Sequence, residues 1–185
     1  MKGDLKMALA YSLQNGQRAE RKTLITVAEF TPVGGSTTVK ELLGTRTEDS
    51  SIEYNADIET TTDILGNNYS DMTKTQPSQS FDPSPIVGGS QFQLWLNDKR
   101  RRNALSELSG ITVYIITAFL TDGTATSSDG KYACEKHEDC SITYDSIGGD
   151  VNVNMPYTVH FSNKITTGTV DKITSDFTFT ADQSI

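Results

Sequence analysis

The segment Ile111–Leu120 (ITVYIITAFL) does most to constrain the fold of this 185-residue chain. Apolar side chains fall on both of its alternating faces, the pattern of a central β-strand that is covered on each side. It is the longest apolar run in the sequence, and it is far shorter than the roughly 20 residues that a membrane-spanning helix needs. We therefore expect a mainly β domain around this strand, and no membrane partner.

Serine and threonine support the same fold class, since together they make 43 of the 185 residues. Threonine is β-branched and favours strands while its hydroxyl tolerates water. Further strand candidates are Thr23–Phe30, Ser141–Ser146, Val151–Ser162, Gly168–Val170 and Asp176–Thr180. In Val151–Ser162 apolar residues alternate with Asn152, Asn154, Thr158 and His160, which predicts one buried face made of Val151, Val153, Tyr157, Val159 and Phe161. The sum is a β-sandwich or β-barrel with one helix packed across it.

The stretch Glu48–Leu65 has a period of two. Ile52, Tyr54, Ala56 and Ile58 alternate there with Glu53, Asn55, Asp57 and Glu59. This pattern predicts a strand with one buried face and one strongly acidic face.

The following stretch, Gly66–Pro85, is polar, contains proline and shows no sustained period. We predict a long polar loop here. A structureless connection of this length inside a domain is usually either functional or disordered.

One helix is predicted at about residues 90–104. Ser90 and Gln93 have the spacing of a capping box, and Phe92, Trp95 and Leu96 form an apolar stripe. Cations suit a helix C-terminus, and the sequence places four there: Lys99, Arg100, Arg101 and Arg102. Leu105 and Leu108 fall off the stripe, so the helix should end near Asn103.

The sequence shows no convincing catalytic or metal site. Cys134, His137 and Cys140 have a zinc-like spacing but supply three ligands where zinc prefers four. We expect no metal, no cofactor and reduced cysteines. His137 lies in a charged run and His160 on the polar face of a strand, so both are predicted to be solvated surface residues. The chain is not expected to be an enzyme.

Charge excludes one function class and suggests another. The net charge of −8 argues against a nucleic-acid binder, which needs a basic surface. Residues 40–82 carry a net charge of −6, and residues 1–22 carry a net charge of +3. Residues 1–22 are predicted to form an N-terminal arm, followed by a single domain at residues 23–185. Separate acidic and basic patches suit a subunit that joins copies of itself head to tail. The alternative is that the acidic surface only keeps the protein soluble and contacts no other copy.

Two strings carry a resemblance to a known family. NADIETTTDILGNNYSDMTKTQPSQSFDPSPI is followed by the capped helix with RRRNA and the central strand, and CSITYDSIGGDVNVNMPYTVHFSNKITTGTVD closes the chain. Over roughly residues 50–182 the sequence resembles the major tail proteins (tail tube proteins) of long-tailed bacteriophages and prophages of Gram-positive bacteria.

The resemblance implies a structural protein of the virion tail, made and assembled in the cytoplasm of the bacterial host. Hexameric rings of its β-sandwich would stack into a tube that conducts DNA during ejection. The implied partners are other copies, tail tip or initiator and terminator proteins, and a tape measure protein in the lumen. DNA would pass without specific binding.

The resemblance also implies roles for particular residues. The acidic residues Glu53, Asp57 and Glu59 become candidates for the lumen lining. The predicted loop becomes a candidate for contacts between rings, through Asn67, Tyr69, Asp71, Lys74 and Phe81. The cations Lys99, Arg100, Arg101 and Arg102 become a candidate patch between subunits.

Two alternatives remain open from the sequence. One is the inner tube of a contractile tail or injection machine. The other is a β-sandwich module that binds carbohydrate or protein, although Trp95, the single tryptophan, is expected in the core.

Overall fold

The computed structural model describes residues 9–121 and 131–182. Twelve strands and one α-helix lie in these ranges: β1 (Ala10–Tyr11), β2 (Leu24–Phe30), β3 (Val39–Leu42), β4 (Ile52–Glu53), β5 (Asp57–Thr62), β6 (Asn68–Lys74), β7 (Ser78–Phe81), α1 (Gln91–Arg102), β8 (Ser109–Thr121), β9 (Tyr132–Tyr144), β10 (Tyr157–His160), β11 (Lys164–Val170) and β12 (Phe179–Ala181). Short 3₁₀ helices occupy Arg21–Thr23 and Leu105–Leu108. The predicted mainly β class with one α-helix is confirmed for the described residues.

Ten strands form one antiparallel sheet, in the order β3-β2-β8-β9-β10-β7-β4, with β1 paired to β8 and β12 to β11. Strand β9 is 13 residues long, and two strands share one of its edges. β11 pairs with its first half and β10 with its second half. β5 and β6 pair only with each other, in a separate two-stranded sheet.

Strand β8 is buried on both faces, as its sequence predicts. Ile111, Val113 and Ile115 join a first core that also contains side chains of α1, β7 and β10. Tyr114 and Ile116 join a second core on the opposite face. Because both faces are covered, β8 lies at the centre of the domain.

The second core is closed by the C-terminal segment that follows β11. Phe177 of this segment packs edge-on against Tyr114, with ring centroids 5.0 Å apart. Lys40 of β3 donates a hydrogen bond to the Phe177 carbonyl at 3.0 Å, and its ammonium lies 4.2 Å from the centroid of the Phe177 ring. The chain end is thereby held against β2, β3 and β8.

The N-terminus of α1 is capped partly as the sequence predicts. The Ser90 hydroxyl accepts a hydrogen bond from the Gln93 amide at 3.1 Å. The Gln93 side chain does not return the bond to Ser90. It accepts from the Val87 amide at 2.7 Å and donates to the Pro85 carbonyl at 2.6 Å, so it secures the segment before the helix.

The remaining orphan amides of the helix are satisfied by a distant residue. The Glu41 carboxylate on β3 accepts the amides of Gln91 and Phe92 at 2.9 and 3.0 Å and the Ser90 hydroxyl at 2.5 Å. The first turn of an α-helix leaves such amides without partners and favours a negative charge. Glu41 therefore ties the edge strand β3 to α1.

The predicted apolar stripe and helix end are confirmed. Phe92, Trp95 and Leu96 are buried, and Phe92 packs against Phe30 of β2 with centroids 5.5 Å apart. Asn103 has a left-handed backbone with φ 53° and terminates the helix, a position that asparagine tolerates.

The prediction of a solvated His137 is wrong. His137 is 3% exposed, and its ring lies 4.9 Å from that of Phe161 in the first core. The charged run that contains it belongs to β9, where Asp139 has φ 57° and the pairing with β8 shifts register. A bulge changes which residues share a face, so His137, Cys140 and Ile142 are all buried without a period of two. His160 is exposed, as predicted.

The predicted loop at Gly66–Pro85 is also wrong. Most of this stretch forms β6 and β7. β6 is exposed along its whole length, and its large apolar residues Tyr69 and Met72 are three positions apart, so the sequence shows no strand period there. β7 buries Gln79 and Phe81 within a strand of only four residues.

One predicted buried face is absent, and a second, that of Val151–Ser162, is confirmed only in part, because Tyr157, Val159 and Phe161 are buried whereas its first residues are not. Asn55, with φ 44°, interrupts the predicted strand in Glu48–Leu65 and separates β4 from β5, and Tyr54 and Ile58 are exposed. Val151 and Val153 are exposed as well, because strand β10 begins only at Tyr157. Of the predicted N-terminal arm, residues 1–8 lie outside the described ranges, and Ala10–Tyr11 pairs with the end of β8.

The Glu41 cap yields a test of the fold. Replacing Glu41 by alanine leaves three donors at the start of α1 without their acceptor, so we expect the free energy of unfolding to fall by about 1–3 kcal/mol. Urea denaturation followed by circular dichroism measures it. Glu48→Ala, at an exposed position, is the control and should change stability by less than about 0.5 kcal/mol. Equal stability of the Glu41→Ala variant and the unchanged protein would contradict the proposed tie.

Candidate assembly surfaces

The most conspicuous surface is the hairpin of residues 57–74, formed by β5, β6 and the turn between them. Every residue of β5 and β6 is exposed. The two strands and the turn expose five large apolar side chains: Ile58 (61% exposed), Ile64 (101%), Leu65 (81%), Tyr69 (53%) and Met72 (65%). A two-stranded hairpin is at best marginally stable alone, and within the described residues this one has no third strand paired to it.

The two faces of the hairpin differ in chemistry. On one face Ile58 lies directly opposite Met72. On the other, Glu59 lies opposite Asp71, a like-charge pair that destabilises a sheet in isolation. The hairpin as a whole has four acidic residues and one lysine. One face therefore suits an apolar contact, and the other presents negative charge.

The turn of the hairpin is held by Asp63. Its carboxylate accepts the amides of Leu65 and Asn67 at 2.8 and 2.9 Å, the Asn67 side-chain amide at 3.0 Å and the Tyr69 hydroxyl at 3.1 Å. These hydrogen bonds, led by the one from the Asn67 side chain, hold the pKa of Asp63 below its usual value. The network keeps Ile64 and Leu65 projecting into solvent at the tip.

The base of the hairpin is joined to the main sheet by Asn55. Its side-chain amide donates to the Gln76 carbonyl at 3.0 Å and the Ser78 hydroxyl at 3.2 Å. The Gln76 amide donates to the Tyr54 carbonyl at 2.9 Å. The segments before β5 and after β6 are therefore hydrogen-bonded to each other where the hairpin leaves the main sheet.

The structure separates the residues predicted to make contacts between rings. Asn67, Tyr69, Asp71 and Lys74 all lie on the hairpin and are exposed. Phe81 does not belong with them, because it is buried in β7 and stacks on Tyr157 with centroids 4.8 Å apart. The acidic residues predicted to line a lumen are exposed: Glu53 lies at the end of β4, and Asp57 and Glu59 lie on β5.

The four cations at the end of α1 are not equivalent. Lys99 pairs with Glu107, and Arg102 pairs with Asp98 at 2.7 Å and with Glu107 at 3.3 Å. The hydrogen bonds from Lys99 and Arg102 lower the pKa of Glu107, and those from Asp98 and Glu107 raise the pKa of Arg102.

Arg100 and Arg101 lack such carboxylate partners. Arg100 donates to the Asn97 side chain at 2.9 and 3.1 Å. Arg101 is exposed and makes no side-chain hydrogen bond with the described part of the chain. These two arginines are therefore the cations of the predicted patch that remain available to another molecule.

Cys134, His137 and Cys140 do not converge on one point. Cys134 lies in the second core, whereas Cys140 and His137 lie on the first-core side of the sheet. Both cysteines are free and buried, and burial raises the pKa of the Cys134 thiol to about 12. Within residues 9–121 and 131–182, no group of three or more metal-ligating side chains is arranged around a common point.

An open groove of about 760 Å³ lies between the β2–β3 turn and the C-terminal end of α1. Its lining includes Trp95, Glu29 and the Lys99–Glu107 and Arg102–Asp98 ion pairs. Its charged groups thus bind mainly each other. The described helices include none long and apolar enough to span a membrane.

Comparison with known proteins gives structural similarity alone. No protein-family model and no curated protein matches the chain. A chain in the cryo-EM structure of the sheath-tube complex of an extracellular contractile injection system, PVC, in the extended state is 12% identical, with a TM-score of 0.43 over 84% of this chain and 94% of that one. A chain in the cryo-EM structure of the tube-terminating cap of the anti-feeding prophage is also 12% identical, with a TM-score of 0.44 over 86% of this chain and 95% of that one.

The Asp63 network predicts how the hairpin tip responds to substitution and to acid. A carboxyl group whose folded pKa is depressed contributes stability that is present above its ordinary pKa of 3.8 and is lost as the pH falls through the lowered value. We expect Asp63→Ala to increase amide hydrogen exchange at Leu65 and Asn67 at neutral pH, because their acceptor is removed. In the unchanged protein the same increase should appear only below about pH 3.8.

Exchange at residues of β8 is the internal control and should be the same in both proteins at neutral pH. Unchanged exchange at the tip of the Asp63→Ala variant would show that Asp63 does not hold it.

Proposed function

We propose that this chain is the repeating structural subunit of a bacteriophage tail tube, in which six copies close into a ring and rings stack into a hollow conduit for DNA. The observation that carries the proposal is the hairpin of residues 57–74, which exposes Ile58 and Met72 on one face and Ile64 and Leu65 at its tip, and nothing in the described chain covers them. The resemblance of residues 50–182 to tail tube proteins supports the same function.

The energetics of the hairpin favour burial against another copy. Full burial of an aliphatic side chain contributes about 1.5–3 kcal/mol, and Ile58, Ile64, Leu65 and Met72 are all available for it. Monomeric proteins usually protect exposed strand edges, because these pair with other chains. Both outer edges of this hairpin lie open in the described chain, since β5 and β6 pair only with each other. Repeated pairing around a closed ring would remove them.

The acidic surfaces suit a channel through which DNA moves. Glu53, Asp57 and Glu59 are exposed on or beside the hairpin, and Asp71 adds a further carboxylate opposite Glu59. A wall of like charge repels a polyanion and keeps it mobile, whereas lysine and arginine contacts would hold it. We assign these residues to the lumen.

The remaining parts of the proposal follow from a role in a tail. The subunit would be made and assembled in the cytoplasm of a bacterial host and reside in the virion tail. Its partners would be further copies, a tail tip or initiator protein, a terminator and a tape measure protein. The inner tube of a contractile tail is the same kind of assembly surrounded by a sheath. A carbohydrate-binding module gains no support from the single tryptophan, since Trp95 is buried.

The hairpin tip provides a test of self-assembly. Replacing Ile64 and Leu65 by aspartate puts two charges where the proposal requires burial, so we expect a folded subunit that no longer forms tubes. Negative-stain microscopy and sedimentation of the purified protein measure assembly, and circular dichroism measures folding. Ile173→Asp, at an exposed position outside the hairpin, is the matched control and should assemble normally. Unchanged tubes from the tip variant, or an unchanged protein that stays monomeric under all conditions, would contradict the proposal.

The acidic lining provides a second test. Replacing Glu53, Asp57 and Glu59 by lysine should permit assembly but slow DNA ejection several-fold, because a basic wall binds phosphates. The neutral set Glu53→Gln, Asp57→Asn and Glu59→Gln should give an intermediate rate. Ejection from phage that carry each set, followed by fluorescence of released DNA, measures the effect. Equal ejection rates in the lysine phage, the neutral phage and the unchanged phage would contradict the assignment of these side chains to the lumen.

A further inference from the structure

Two further exposed surfaces lie at opposite ends of α1, outside the hairpin of residues 57–74. The first, here called the acidic loop, is residues 145–153, between β9 and β10. It carries Asp145 and Asp150 with no basic residue. It also exposes three apolar side chains: Ile147 (42%), Val151 (89%) and Val153 (54%).

The acidic loop lies beside the N-terminal end of α1. The Ile86 amide donates to the Val153 carbonyl at 2.9 Å, and the helix begins five residues after Ile86. Gly148 and Asn154 bridge the base of the loop through their backbones. The loop is therefore tied to the domain while its apolar side chains stay in solvent.

The second surface, here called the basic end, lies at the other end of the helix. It consists of Arg100, Arg101 and Leu105, the last of which is 58% exposed in the turn that follows α1. At 1.5 Å per residue, Arg101 lies roughly 15 Å along the helix axis from Gln91. The two surfaces are thus separate patches.

The charges of both surfaces lack partners within the described chain. Neither Arg100 nor Arg101, and neither Asp145 nor Asp150, takes part in an ion pair in residues 9–121 and 131–182. Each surface combines exposed apolar area with charge of one sign, and the signs are opposite. Such patches attract each other and fix the orientation of contact.

We propose that the acidic loop of one copy docks on the basic end of a second copy. Because the two patches differ, the contact is head to tail, and such contacts close into rings or continue as filaments. Burial of Val151 and Leu105 supplies apolar contact, and Arg101 meets Asp150. This inference rests on the proposed self-assembly and assigns a contact between neighbours that is independent of the hairpin.

Complementary charge reversals test the contact. Arg101→Glu puts like charges in contact, and so does Asp150→Arg. Each variant alone should need about tenfold more protein than the unchanged chain to assemble. An equimolar mixture of the two should assemble near the concentration that the unchanged chain needs, because every contact between unlike copies again joins opposite charges.

Sedimentation over a protein dilution series measures assembly, and circular dichroism verifies folding of each variant. Lys172→Glu, an equal change of charge at an exposed residue outside both surfaces, is the control and should assemble normally. Normal assembly of both single variants, or a mixture no better than either alone, would overturn the docking contact and leave the tube proposal standing. An unchanged chain that never assembles would overturn both.

Discussion

Burial of β8 on both faces is the constraint on which the rest of the structure depends. A strand whose two faces are both apolar needs a layer on each side. On one side, α1 and the strands β7 and β10 supply it through Phe92, Phe81 and Tyr157, and the rings of both phenylalanines contact the Tyr157 ring. On the other side, Phe177 supplies it from the C-terminal segment. The remaining elements are arranged around these two cores, and what neither core covers becomes the outer surface.

The connection between the layers is polar as well as hydrophobic. Glu41 on β3 satisfies the first amides of α1, and Lys40 beside it holds the Phe177 carbonyl on the opposite face. Consecutive residues of a strand point to opposite faces, so these two neighbours reach the two covering layers. The edge strand β3 thereby positions both layers relative to β8. The basic end and the acidic loop lie at either end of the helix that Glu41 holds.

The sequence predicted those elements in which the spacing of the apolar side chains matches the face that is buried in the fold. The two apolar faces of β8, the stripe of Phe92, Trp95 and Leu96, and the end of α1 at Asn103 are of this kind. It predicted only the last residues of β9, within Ser141–Ser146, since the bulge at Asp139 breaks the period and puts His137 in the core. Nor did it predict the partner of the helix cap, because Glu41 lies 49 residues before Ser90. Of the candidate site, the polar residues and Tyr69 on β6 and its turn were predicted as contacts and lie exposed, whereas Ile64, Leu65 and Met72 were not named and Ile58 was predicted to be buried. Phe81 was predicted as a contact but is buried, because a four-residue strand is too short to show a period.

The failed prediction at β5 bears directly on function. A period of two records that a strand has two different faces, but it does not say which molecule covers the apolar one. Ile58 and Met72 lie opposite each other on the apolar face of the hairpin and remain exposed in the single chain. Asp63 holds the turn with four hydrogen bonds and keeps Ile64 and Leu65 exposed at its tip. An alternating strand that no described part of its own chain buries, with a hydrogen-bonded tip in solvent, is what a subunit completed by another copy requires. The same reasoning applies to Val151 and Val153 in the acidic loop, whose predicted buried face is likewise exposed in the single chain.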